Sequence, residues 1–277
     1  MFIVLYYLIP IVYQLLRLLP LNGDFMNLAK LIVNVRGTIE DIAYKSRLLT
    51  RPVSIDPLIH FKIYSAKPTQ LNLEKETLLM ALLNNIQNGD VVYDIGANIG
   101  LYSLAVSTFN IDSVVYAFEP NPETFAKLSA NLTLNKTSDN IKPLQIAIGN
   151  TDSESDFMIS SQHERSSFYP FGATFGNARV KKIVKVTVER IDSLIGHLLP
   201  PQHIKIDAEG SESIILEGAQ ETIRKYKPIL YIEPHSTEQE KKILQFLKSV
   251  EYETKKNSEC YVCKPLTISS QVIVLAK

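Results

Sequence analysis

Short apolar runs alternate with segments of helical periodicity over most of this chain, and this alternation is typical of an α/β protein. The runs at 91–95, 114–118 and 228–232 contain almost no charge, so they predict buried strands of a parallel sheet. The segments that follow the first two runs have the spacing of amphipathic helices. Turn residues stand between the two kinds of segment, as at residues 88–90, and they set the ends of each element.

The same pattern predicts the remaining elements. The predicted strands are 91–95, 114–118, 141–148, 203–207, 228–233, 252–256 and 271–276. The predicted helices are 74–87, 101–107, 122–134, 211–226 and 237–250. Between the third and fourth strands the chain is irregular, although alternation at 184–188 predicts a half-buried strand that 157–160 could join. The aromatic and glycine-rich loop at 163–176 suits either a lid over a site or a segment packed on the sheet.

A glycine turn follows the strand at 91–95, in the spacing Asp94-x-Gly96-x-Asn98-x-Gly100. Glycines let a backbone approach a ligand closely, and Glu119 at the end of the next strand could bind two ribose hydroxyls. A dinucleotide site has a glycine where Asn98 stands, and a side chain there crowds a pyrophosphate, which disfavours NAD and FAD. The pattern fits a ligand without phosphates, such as S-adenosylmethionine. The alternative is a tight turn in another α/β domain.

A second strand also ends in charged residues. Lys205, Asp207 and Glu209 lie at the end of the strand 203–207, and Glu233 ends the strand that follows. A lysine inside a buried strand requires a partner or a wet site, so Lys205 is expected to pair with Asp207 or Glu233. The carboxyl ends of parallel strands meet at the crevice where α/β sheets bind ligands. The alternative is an ion-pair network that is only structural.

Together these motifs resemble the FkbM family of S-adenosylmethionine-dependent methyltransferases. The resemblance rests on residues 94–100, 118–122, 131–135 and 205–212, and it spans about residues 72 to 235 in the order and spacing of the family. It implies a Rossmann-like class I fold, with a seven-stranded, mostly parallel sheet and helices on both faces. It also implies methylation of an alcohol oxygen on a sugar, glycan or polyketide-type substrate. Ala208 departs from the family, which usually has a larger branched residue there.

The resemblance and the residue chemistry together give the candidate site. The predicted catalytic residues are Asp207 and Glu209 as the base, with Lys205 steering their charge, and His235 is the reserve base. The residues predicted to bind the cofactor are Asp94, Gly96, Asn98 and Gly100 at its amino-acid end, Glu119 at its ribose and Asn121 near its adenine. No metal is predicted, although a divalent ion on Asp207, Glu209 and Glu233 is conceivable.

The amino-acid composition limits the classes of molecule that this protein is expected to bind. The 277 residues include 29 basic and 29 acidic side chains, so no net charge attracts nucleic acid, and a small-molecule or glycan acceptor is expected. The two cysteines, Cys260 and Cys263, have no second cysteine or histidine pair at zinc-ribbon spacing. They are expected to be ordinary residues of a strand or hairpin.

The N-terminus differs from the rest. Residues 1–70 are predicted to be an apolar and helical extension, and residues 71–277 the methyltransferase domain. Residues 1–13 carry no charge, so residues 1–21 predict either a membrane anchor or an apolar helix packed on the domain. We expect a cytoplasmic protein with membrane association through this segment. Two alternatives to O-methylation stay open: a non-catalytic, membrane-tethered binding module, and methylation of a nitrogen or a carboxylate.

Overall fold

The computed structural model describes residues 51–56, 59–64, 76–137, 139–160, 166–168 and 179–266. The predicted anchor at 1–21, the predicted strand at 271–276 and most of the loop at 163–176 lie outside these residues. The described residues from 76 onward belong to one compact unit of the chain. The motifs of the candidate site are all in this unit.

The described strands form three sheets, of two, seven and three strands. They are β1 (Arg51–Asp56), β2 (Ile59–Ile63), β3 (Val91–Ile95), β4 (Val114–Phe118), β5 (Ile141–Leu144), β6 (Ala147–Ile148), β7 (Ser153–Ser160), β8 (Val180–Glu189), β9 (His203–Ile206), β10 (Ile229–Ile232), β11 (Tyr252–Asn257) and β12 (Cys260–Pro265). Strands β1 and β2 pair with each other in a segment that was predicted to be helical. Alternate residues of β2 are buried, which is the two-residue period of a strand rather than that of a helix.

Seven strands form the main sheet, in the order β11-β12-β10-β9-β3-β4-β5. The pairs among β5, β4, β3, β9 and β10 are all parallel. Strand β12 is antiparallel to both of its neighbours, β10 and β11. Strand β3, an interior strand of the sheet, is buried at every position, because it has neighbours on both sides and is covered on both faces. The predicted seven-stranded, mostly parallel sheet is confirmed.

Helices connect the parallel strands. Those described are α1 (Thr77–Leu83), α2 (Leu101–Phe109), α3 (Pro122–Asn135), α4 (Ile191–Leu194), α5 (Glu212–Glu217), α6 (Gln220–Tyr226) and α7 (Thr237–Ser249). Helix α3 begins as predicted, because the side chain of Asn121 accepts a hydrogen bond from the Glu123 amide at 3.0 Å and Pro122 occupies the first turn.

Several predicted elements have different bounds in the structure, and the helix predicted at 74–87 is the shorter α1, Thr77–Leu83. The strand predicted at 141–148 divides into β5, in the main sheet, and β6, which joins β8 and β7 in a three-stranded sheet. The helix predicted at 211–226 divides into α5 and α6 around Gly218, where a Cβ atom would overlap the carbonyl oxygen of Gly149. The closing hairpin is formed by β11 and β12, so the strand after β11 begins at Cys260. Cys260 and Cys263 are buried residues of that strand and do not form a disulfide, in agreement with the prediction.

Candidate active site

The glycine turn between β3 and α2 lies directly against the end of β9. Gly96 has a positive φ of 73°, and a Cβ atom there would overlap the carbonyl oxygen of Asp207. A glycine is required at this position both for the conformation and for the close approach. Asn98 and Gly100 also have positive φ angles, 50° and 92°. The two sequence motifs therefore meet at one point, the carboxyl edge of the sheet.

Glu119 fixes the outer side of this turn. It is 7% exposed, and its two carboxylate oxygens accept hydrogen bonds from the amides of Asn98 and Asn121, each at 2.9 Å. Burial raises the pKa of Glu119 to about 7, although the two amide hydrogen bonds and the charge of Lys205 act in the opposite direction. The carboxylate thus links the glycine turn to the start of α3.

Lys205 is the cation at the centre of the site. Its side chain is 2% exposed, and its ammonium lies 3.2 Å from a carboxylate oxygen of Asp94 and 3.6 Å from one of Asp207. It also donates to the carbonyl oxygens of Gly96 at 2.9 Å and Ile95 at 3.2 Å. Burial acts to lower the pKa of Lys205, but the charges of Asp94 and Asp207 outweigh burial and raise it. Lys205 pairs with Asp207, as expected, and with Asp94 at a shorter distance.

Asp207, Glu209 and His235 come together in front of this ion pair. The imidazole Nε2 of His235 lies 3.6 Å from Asp207 Oδ1 and 3.8 Å from Glu209 Oε2, and its Nδ1 lies 2.9 Å from Glu212 Oε1. Burial acts to lower the pKa of His235, but the hydrogen bond to Glu212 and the charges of Asp207, Glu212 and Glu209 raise it to about 9. Histidine and carboxylates in this arrangement can accept a proton or hold a cation.

The residues that could hold a metal differ from the set considered on sequence grounds. Donor atoms of Asp207, Glu209 and His235 lie within 4.8 Å of one another, so His235 stands where Glu233 was considered. Glu233 instead lines a neighbouring cavity with Glu76, Tyr102 and Cys260. Burial and the charge of Asp207 raise the pKa of Glu233.

A cavity lies at the meeting point of the two motifs, and five of the predicted site residues line it. These are Gly96, Asn98, Glu119, Asp207 and Glu209. The other predicted residues lie behind its wall: Asp94 is 1% exposed, with one oxygen accepting from the Ser103 hydroxyl at 2.6 Å, and Gly100 packs against Leu128. Lys205 is likewise buried. Asn121 is 1% exposed, and its amide nitrogen donates to the Ser166 hydroxyl at 3.2 Å.

Sequence reasoning missed two parts of the site. The first is an apolar wall of the cavity. The segment between β6 and α4, here called the insert, contributes Phe157 and Phe168 to this wall. The rings of the two residues pack edge to face, with their centroids 5.0 Å apart. The alternation at 184–188 predicted the insert but not its position over the cavity. The second is Glu212, which is fully buried. It belongs to the motif at 205–212, but its hydrogen bonds are with the loops that follow β9 and β10. The spacing within the motif does not reveal these contacts.

Comparisons with known proteins decide the family. A sequence profile of the Methyltransferase FkbM domain matches residues 94–254, more than half of the chain. The chain belongs to this family. As an FkbM-family protein it is a methyltransferase that uses S-adenosylmethionine and has a Rossmann-like fold, which confirms the predicted enzyme class, cofactor and fold.

Individual relatives of this FkbM-family chain are distant. It is 26% identical over 184 residues to hexuronic acid methyltransferase AglP of Haloferax volcanii. This alignment covers 65% of this chain and 70% of the relative. It is 27% identical over 163 residues to methyltransferase sdnD of Sordaria araneosa, covering 50% and 63% of the two chains. Among solved structures, methyltransferase FkbM of Methylobacillus flagellatus has a TM-score of 0.47 at 19% identity, covering 65% of this chain and 45% of that one.

Within the described part of this FkbM-family chain, no helix has the length and apolar character needed to cross a membrane.

The pKa of Glu119 predicts how stability changes with pH. Its value in the folded protein, about 7, exceeds the ordinary value of 4.5, so the native state binds more protons than the unfolded state between these values. We expect the free energy of unfolding to fall by about 1–3 kcal/mol more in the wild type than in Glu119→Gln as pH rises through this window. Urea unfolding at several pH values measures this difference. Glu253→Gln, on the exposed face of β11, controls for the loss of one charge, and an opposite slope in the wild type would contradict the assignment.

Proposed function

We propose that this enzyme transfers the methyl group of S-adenosylmethionine to a hydroxyl oxygen of a sugar, glycan or polyketide-type acceptor. The observation that carries the proposal is the position of Asp207 and Glu209, two carboxylates on the wall of the cavity that Gly96 and Glu119 also line. A hydroxyl must lose its proton as it is methylated, so a base within hydrogen-bond reach is needed. The similarity to the Haloferax relative, a hexuronic acid methyltransferase, supports an acceptor of the sugar class.

The residues around the cavity fit the cofactor. A carboxylate has about four lone-pair sites, and the amides of Asn98 and Asn121 use two of those on Glu119, which leaves acceptor sites for ribose hydroxyls. The missing side chain of Gly96 lets the turn lie directly against Asp207, and we assign the amino-acid end of the cofactor to this turn, with Asn98 beside it. Phe157 and Phe168 offer apolar surface to a purine ring. Asp94, Gly100 and Asn121 would act by holding the turn and the start of α3 in place.

S-adenosylmethionine supplies an electrophilic methyl group on a sulfonium, with a good leaving group already in place. The protein must therefore orient the acceptor and accept its proton. We assign proton acceptance to the pair of Asp207 and Glu209. His235 is a weaker candidate, because its pKa of about 9 makes the ring a cation at neutral pH. Lys205, which is buried behind the cavity lining, would keep Asp207 and the glycine turn in place through its ion pair and its hydrogen bonds.

We also propose that residues 1–21 associate with a membrane, because the uncharged run from residue 1 to residue 13 favours burial in an apolar phase.

Cofactor binding provides the first test. Calorimetric titration of the full chain with S-adenosylmethionine, S-adenosylhomocysteine and NAD should show micromolar binding of the first two only. Glu119→Ala should weaken this binding by about tenfold to a hundredfold, because it removes the acceptor for the ribose and unties the glycine turn. Glu217→Ala, an exposed carboxylate on α5, is the matched control. Unchanged affinity in Glu119→Ala would exclude the ribose role, and binding of NAD in place of the other two would exclude the proposal.

An acceptor screen tests the reaction. The enzyme is incubated with S-adenosylmethionine and one of four acceptors: methyl glucopyranoside, methyl glucopyranosiduronate, an amino sugar or a macrolide alcohol. Formation of S-adenosylhomocysteine is followed. NMR of the product should show a methyl ether. Asp207→Asn and Glu209→Gln together should lower kcat by about 10²- to 10⁴-fold, the usual contribution of a general base.

The outcomes of the screen separate the alternatives. A methyl ester on the uronic acid would identify a carboxylate methyltransferase. Methylation only of an amino sugar in the same assay would identify an N-methyltransferase. Cofactor binding with no turnover on sugar or macrolide hydroxyls would favour a binding module. Full turnover in the double variant would place the base elsewhere.

Membrane association predicts that the full chain floats with vesicles of phosphatidylcholine and phosphatidylglycerol. Leu8→Lys should reduce the floating fraction strongly, because a lysine at the centre of an apolar segment costs about 3 kcal/mol. Ile111→Lys, at a position that is 70% exposed, is the matched control. Equal flotation of all three proteins would exclude residues 1–21 as the cause.

A further inference from the structure

The loop that presents Glu209 has an unusual backbone. Glu209 and Gly210 have consecutive positive φ angles, 49° and 99°. For a residue with a Cβ atom this conformation costs about 1–2 kcal/mol, so the loop keeps it only if contacts around it outweigh the strain. The conformation directs Glu209 toward Asp207 and His235, the other members of the cluster.

Glu212 accepts the hydrogen bonds that hold this loop in place. Its side chain is fully buried, and its Oε1 accepts hydrogen bonds from the amides of Gly210 at 2.9 Å and Ala208 at 3.3 Å. Within the described residues its other oxygen, Oε2, has no hydrogen-bond partner. Only Oε1 of this buried carboxylate accepts hydrogen bonds from the described residues. Burying a carboxylate costs free energy, so we expect Oε1 to have a specific role.

The same oxygen also holds His235. The distance from Glu212 Oε1 to His235 Nδ1 is 2.9 Å, and a carboxylate partner requires that Nδ1 carry a proton. The ring is thereby oriented with Nε2 toward Asp207 and Glu209, at 3.6 and 3.8 Å. One oxygen atom of α5 thus joins the loop after β9 to the loop after β10.

We propose that Glu212 is a positioning residue, which sets both the place of the Glu209 carboxylate and the orientation of the His235 ring that bridges Asp207 and Glu209. This proposal rests on the proposed function, since the pair it positions is the proposed base. Glu212 does not line the cavity, so it would act through the other residues.

The charges around His235 determine what the loss of Glu212 should do. The ring faces Asp207 and Glu209 from the loop after β9, Glu212 from α5, and Glu233 from the end of β10. Glu212→Gln keeps an oxygen that can accept from the Gly210 amide but removes the charge. The imidazolium then loses a nearby anion and its pKa falls, so the ring is held less firmly between the two negative carboxylates.

The experiment compares Glu212→Gln with the wild type in three measurements, with Glu217→Gln on the same helix as the matched control. NMR titration of the His235 ring, assigned with His235→Gln, should show its pKa lowered from about 9 by about one unit or more. The affinity for S-adenosylmethionine should change by less than about threefold, whereas kcat on the better methyl glycoside of the acceptor screen should fall by about tenfold or more. Glu217→Gln should match the wild type in all three.

The measurements distinguish the possible failures. An unchanged His235 titration or an unchanged kcat in Glu212→Gln would overturn the positioning role. Equal losses of cofactor affinity, kcat and thermal stability would show a purely structural residue and would overturn it as well. If neither methyl glycoside is methylated by the wild type, that result counts against the proposed function. The His235 titration then decides on its own whether Glu212 sets the ring.

Discussion

The candidate site depends on one buried ammonium group. Lys205 is paired across the sheet with Asp94 on β3, and it donates to the carbonyl oxygens that begin the glycine turn. A buried lysine is tolerated only when anions and acceptors replace its water, and here these groups come from both motifs. The ammonium therefore fixes the distance between the glycine turn and the end of β9, the two parts to which we assign the cofactor and the acceptor. A methionine of similar length could fill the space, but it could not hold the turn.

Strand ends and turns were predictable because they depend on local sequence. The runs at 91–95 and 114–118, the positive-φ glycines and the cap at Asn121 follow from chemistry within a few residues. The division of the helix at Gly218 was not predictable, since its φ is ordinary for a helix and the reason for a glycine is the backbone of Gly149, far away in sequence. The bounds of β12 were not predictable, because the cysteine-containing run at 260–265 is short and polar at one end.

The roles of Glu212 and His235 show the same limit within the site. Both stand beside residues that the motifs identified, yet their importance comes from a contact between loops that follow different strands. Sequence spacing indicates which strand end a residue occupies. It does not indicate which of several acids will point inward, because that depends on the backbone conformation at Glu209. Charge alone would have favoured Glu233, which the structure places in a neighbouring cavity.

The antiparallel strand β12 has a consequence for the order in which the protein folds. It lies between β10 and β11 in the sheet, although it follows both in the chain. Until residue 265 has been synthesised, β10 is an open edge with unpaired backbone groups, and β11 has no strand beside it. A growing chain can assemble the parallel part of the sheet first, but the edge nearest to Glu233 is closed only when β12 pairs with β10. The β10 side of the parallel sheet is therefore covered only after both strands of the β11–β12 hairpin have been synthesised.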